Sequence, residues 1–163
     1  VKYFFDTEFQ EMTYPESPML ISIGIVREDG LDLYCENSGF GRLSCTNQWI
    51  QDNVIPHLSQ YVKDHISLSG MRKRILSFIG NDPEPQFWAY YGAYDWFLFC
   101  QIFGGMMQLP SHWQETYYDL RVMLNAAGHS NIGQPSDHIH NALFDARWVK
   151  ATWEQYLRGT PNG

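Results

Sequence analysis

Tyr3-Phe4-Phe5-Asp6-Thr7-Glu8-Phe9 is the stretch on which the reading of this chain turns. Side chains of a β-strand alternate between its two faces, so a strand over residues 3–9 projects Asp6 and Glu8 from one face. Two like charges held side by side repel, and a bound divalent cation reverses that cost. A solvent-facing edge strand with two ordinary acids would show the same spacing. The aromatic flank instead suggests a strand inside a sheet.

Outward from this stretch the chain continues in strands. Residues 19–28 are apolar and β-branched, and Asp29-Gly30 leads into residues 31–36, the pattern of a hairpin. Helical spacing follows at 47–53 and at 68–79, the second with Met71, Ile75, Leu76 and Ile79 on one face and Gly80 as its stop. Asp82-Pro83-Glu84-Pro85 breaks the chain before a short aromatic strand at 86–90. A helix is expected at 93–103, closed by Gly104-Gly105, and a fifth strand at 116–118. A polar loop at 128–137 leads into a last helix over 141–157. Early strands followed by alternating helix and strand imply one α/β domain, a mixed five-stranded sheet flanked by helices.

Composition bounds the function. The 163 residues suffice for one core, and no window nears the roughly 18 consecutive apolar residues of a membrane span. The amino terminus lacks the basic-then-apolar layout of a signal peptide. Cys35, Cys45 and Cys100 are odd in number and widely spaced, which suggests reduced thiols of a cytoplasmic protein rather than a disulfide framework or a zinc site. A net charge of -7 argues against holding nucleic acid through a broad basic surface. Arg72-Lys73-Arg74, the one basic cluster, reads as a solvated helix face. Acids that bind cations still leave phosphate chemistry open.

Further candidates fall at helix starts. Asp95 opens the helix after the fourth strand, where an acid also complements the helix dipole. Asp145 lies one turn inside the last helix, bordering the stripe Ala142, Ala146, Val149 and Trp153; its alternative is a surface acid paired along its own helix. His140 stands at the mouth of that helix, and an imidazole titrating near neutrality suits proton removal from water. His138 has the same surface alternative and no motif around it.

Asp6-Thr7-Glu8, then Asp95, then His140-x-Ala142-x-x-Asp145 resembles the three-motif signature of the DEDD (DnaQ-like) exonuclease superfamily, in its histidine-bearing branch. The resemblance runs from the first strand to the last helix. The opening stretch, Leu20-Ile21-Ser22-Ile23-Gly24 and Trp88-Ala89-x-x-Gly92-Ala93-Tyr94-Asp95 further resemble the RNase AS group of polyadenylate-degrading ribonucleases. One departure is Tyr91, where proofreading relatives often carry Asn, which puts nucleotide contacts at that spot in question.

The resemblance implies an RNase H-like fold and a metal-dependent 3′-5′ exoribonuclease releasing nucleoside 5′-monophosphates. Asp6, Glu8, Asp95 and Asp145 would hold two Mg2+ or Mn2+ ions, and His140 would take the proton of the attacking water. It also implies single-stranded RNA 3′ ends as substrate, adenine-rich ends favoured, and a homodimer. Phe9, next to Glu8, and Trp96, next to Asp95, are candidates for stacking on a base, although most of the aromatic residues should build the core. The alternatives are a DNA exonuclease of the proofreading type and a non-catalytic binding or scaffold protein on the same fold.

Overall fold

The computed structural model describes residues 1–13, 15–135 and 139–160. Three strands come first: β1 (Lys2–Gln10), β2 (Met19–Arg27) and β3 (Asp32–Asn37). They form an antiparallel meander, with Gly30 at a φ of 94° supplying the left-handed turn between β2 and β3. The chain then passes through α1 (Gln48–Asn53), β4 (His65–Ile66) and α2 (Leu68–Ile79). It returns in β5 (Gln86–Ala89), α3 (Ala93–Phe103), β6 (Tyr118–Asp119), α4 (Leu120–Ala126) and α5 (Ala142–Tyr156).

Among the described residues the sheet has six strands, in the order β4-β3-β2-β1-β5-β6, and corrects the expectation of five. The additional strand is β4, two residues pairing parallel to the end of β3, too short to leave a periodic trace. Only β2 runs against the others, so the α/β class and the mixed sheet are as expected. The seven-residue α4 is a second addition. Asp119 ends β6 and caps α4, its carboxylate accepting from the Arg121 and Val122 amides, so the helix starts directly from the strand end.

Alternation along β1 builds two cores. Tyr3 and Phe5 face α2 and α3, packing with Ile75, Phe87, Phe99 and Trp113. Phe4 points to the other face, where it meets Trp88, Val149 and Trp153 beneath α5. Asp6 and Glu8 follow Phe4 in this alternation and lie on the α5 side. A bulge interrupts the pairing: Glu8 faces Ser22 and Phe9 faces Leu20, leaving Ile21 without a partner on β1. Freed from the ladder, Ile21 joins a third core with Phe40, Cys45, Ile50, Val54 and Leu58, which seats α1 beside the end of β1.

Cys35, Cys45 and Cys100 are free and buried. Arg72 and Lys73 are exposed on α2, as a solvated face requires. No helix among the described residues is long and apolar enough to cross a membrane.

Candidate active site

The site begins at a missing side chain. Gly24 on β2 lies directly across from Asp6, and a Cβ there would stand 2.4 Å from the backbone of Ala142 and Leu143. Glycine thus lets the first turn of α5 rest on the sheet next to Asp6. Asn141 caps that turn, its side-chain oxygen accepting from the Leu143 and Phe144 amides while its amide group donates to the His57 carbonyl at 2.9 Å. One turn further, Asp145 is buried. Ligand oxygens of Asp6, Glu8 and Asp145 all lie within 4.8 Å of one another.

Asp95 enters from the opposite side, on the first turn of α3. The turn before it is tightly held: Tyr91 adopts a left-handed φ of 53°, and the Gly92 amide donates to Asp119 at 3.1 Å. A Cβ on Gly92 would meet Ala89 at 2.5 Å, so the chain passes through a space that only glycine fits. Thr7, between Asp6 and Glu8 but on the other face of β1, donates both its backbone amide (2.8 Å) and its hydroxyl (2.6 Å) to one Asp95 oxygen.

Burial, with crowding added, raises the proton affinity of Asp6, Glu8 and Asp95. Asp6 is pushed well above the ordinary carboxylate range by burial and then by the negative charges of Asp95, Glu8 and Asp145. Glu8 rises to about 8 through burial, with Asp145 and Asp95 adding to it. Asp95 rises to about 6, burial outweighing the Thr7 hydrogen bonds that favour its ionised form. The charges acting on Asp6 and Glu8 are carboxylates, while the donors that orient Asp95 and Asp145 include the neutral groups of Thr7 and Gln134. Clustered carboxylate oxygens are hard donors, the kind that a divalent magnesium-type ion takes.

The remaining candidates are placed as follows. His140 is half-buried just before the Asn141 cap, its ring 4.7 Å from that of Trp49 on α1. His138 lies outside the described residues. Phe9 is half-buried and stacked on Tyr94 at 5.1 Å, on the face of β1 opposite Glu8. Trp96 is a correction to the sequence reading. It is 9% exposed and stacks on Phe99 and Tyr117 within the core, so its ring is not offered to a ligand.

Sequence reasoning passed over three residues that the fold brings here. Thr7 was hidden between two more conspicuous acids. Gln134 reaches Asp145 from an irregular loop, its amide group 3.0 Å from Oδ1, with no spacing to announce it. Gly24 did leave a signal, because a lone glycine in a β-branched strand marks a close backbone approach.

Comparison with known proteins shows the family. The Rv2179c-like 3′-5′ exoribonuclease domain profile matches residues 1–157. The chain belongs to the Rv2179c-like family. Two relatives, the 3′-5′ exoribonucleases Rv2179c and MT2234.1 of Mycobacterium tuberculosis strains H37Rv and CDC 1551, are each 32% identical over 151 residues, covering 90% of this chain and 88% of theirs. All four carboxylates, Thr7, Gly24, Trp49, Gln134 and His140 fall inside the segment that the family profile spans.

Proposed function

We propose that this Rv2179c-like chain is a metal-dependent 3′-5′ exoribonuclease of the histidine-bearing DEDD type, on an RNase H-like fold. The convergence of Asp6, Glu8 and Asp145 carries the reading, because three buried or half-buried carboxylates this close are unfavourable without a cation. Asp95 completes a four-acid set that would hold two Mg2+ or Mn2+ ions. When bound, such ions would neutralise the phosphodiester and the charge that develops on it.

The chain's own residues carry the other roles. His140 takes a proton from the attacking water onto a ring nitrogen. The water oxygen bonds to phosphorus as the bond to the 3′ oxygen breaks, that oxygen takes up a proton from solvent, and a nucleoside 5′-monophosphate and a strand one residue shorter with a free 3′ hydroxyl are released. Phe9, backed by Tyr94, contributes a ring surface to the strand being shortened. RNA is preferred over DNA because both relatives are exoribonucleases. Preference for adenine-rich 3′ ends and assembly as a homodimer follow from the resemblance to the RNase AS group. The free thiols suit a cytoplasmic setting.

The test is incubation with 5′-labelled single-stranded RNA and DNA oligomers, with Mg2+, Mn2+ or EDTA. A ladder shortening from the 3′ end of RNA, abolished by EDTA and by Asp6→Ala or Asp145→Ala, is expected. Equal rates on DNA would turn the reading toward a proofreading-type enzyme. Binding without cleavage by the metal-supplied wild type would turn it toward a non-catalytic protein.

A further inference from the structure

Of the six tryptophans, five are buried or half-buried and one is open: Trp49, at 52% exposure. Its helix does not need it for packing. Ile50 and Val54 anchor α1 in the third core, and Asn47 caps the helix by accepting from the Ile50 amide. The helix surface around the indole is polar, with Gln48, Gln51 and Asp52 exposed. An apolar docking face for a protein would need apolar neighbours, which α1 does not supply. A single aromatic ring in polar surroundings is instead how single-stranded nucleic acid is commonly held, by stacking on a base.

The position of the ring agrees. It meets the His140 imidazole edge to face, with centroids 4.7 Å apart and planes at 67°. The two are held in one frame, because the Asn141 side chain, next to His140, donates to the His57 carbonyl in the turn after α1. The same Asn141 caps the helix that bears Asp145. An open ring fixed to the proton acceptor and to a carboxylate-bearing helix is suited to registering a strand against both. Stacking also needs no positive charge, which fits a chain of net charge -7.

We propose that Trp49 is the nucleobase platform of this site, stacking on a base at the 3′ end of the strand and so setting the scissile linkage beside His140. This rests on the exoribonuclease reading and adds to it a residue that contacts substrate. The contact is tolerant of base identity, since every base has a π face.

The experiment measures binding of an oligoadenylate whose terminal linkage is a non-hydrolysable phosphonate, by polarisation and by intrinsic tryptophan fluorescence. Wild type should bind with saturable quenching, and Trp49→Phe should bind with that quenching lost. Trp49→Ala should bind about 5- to 150-fold more weakly, with KM raised in turnover assays by more than kcat falls. The loss should vanish when the two 3′-terminal nucleotides are abasic, which separates base stacking from a structural role. Unchanged affinity in Trp49→Ala, or a fall in kcat with unchanged affinity, overturns the platform while leaving the nuclease standing. Failure of the wild type to bind or degrade any RNA overturns the nuclease reading and the platform with it.

Discussion

Thr7 binds Asp95 twice, through its backbone amide and its hydroxyl, and both bonds end on the same carboxylate oxygen. The residue between the two β1 acids thereby fixes the orientation of the acid that arrives on α3. One Asp95 oxygen is committed to Thr7, which sets where the other must point. Support of this kind for a ligand side chain is typically worth 10- to 100-fold in metal affinity or activity. Thr7→Val, which removes the hydroxyl and keeps the shape and the amide, should therefore lower the rate on RNA by about 10- to 100-fold. Thr7→Ser should recover most of it. Circular dichroism of both variants should match wild type, and an undiminished Thr7→Val would show that the clamp is incidental.

Gly24→Ala places a methyl 2.4 Å from the α5 backbone, where no side chain can rotate away. Overpacking of this kind costs typically about 1 to 3 kcal/mol, and here relief requires α5 to lift from the sheet. The lift would carry Asp145 away from Asp6 and Glu8. The expected result is a lower melting temperature together with a loss of activity that extra Mn2+ only partly restores. Full activity in a folded Gly24→Ala would show that the close approach does not set the site.

Much of the fold was legible because its signals are local. Alternation in β1, the Asp29-Gly30 turn and the spacing of Met71, Ile75 and Ile79 each specify an element without help from elsewhere. The two-residue β4 exists only through its pairing with β3, and α4 is short and takes its cap from a strand end, so neither has a pattern of its own. The Ile21 bulge was equally silent, since apolar residues occupy both faces of β2. At the site, period-two spacing foretold that Asp6 and Glu8 share a face. Trp96 was misread because adjacency on a helix rotates a side chain by about 100°, which turns it into the core. Gln134 comes from an irregular loop without periodicity, and Trp49 meets His140 across a long chain separation, so no local pattern encodes either.

His140 is separable from the acids by what its removal leaves intact. A residue that moves a proton contributes roughly 10²- to 10⁴-fold to turnover and nothing to ion binding. His140→Ala should lose activity in that range, while Mn2+ still raises its melting temperature as in wild type. Loss of the Mn2+ effect would make His140 a ligand. A loss matched by His138→Ala would mean that the proton acceptor had been assigned to the wrong histidine.

Stability of the metal-free protein should fall as pH rises through neutrality. Folding raises Glu8 from 4.5 to about 8 and Asp95 from 3.8 to about 6, so in that window the folded chain holds protons that the unfolded chain has released. Stability declines with pH wherever the folded state binds more protons. The Asp95 contribution should be spent above about 6, and that of Glu8 should continue to about 8. Melting curves in EDTA should therefore slope downward from the unfolded carboxylate range through about 8, with Asp6, also pushed well above that range by burial and its acidic neighbours, adding to the slope. Glu8→Gln, which carries no charge at any pH, should make the slope shallower. Saturating Mn2+ should raise stability most at the alkaline end, by about 2.7 kcal/mol at a hundredfold excess over its dissociation constant. A melting temperature in EDTA that is flat or rising across this window, or a Glu8→Gln profile parallel to wild type, would show that these acids are not crowded against one another in solution.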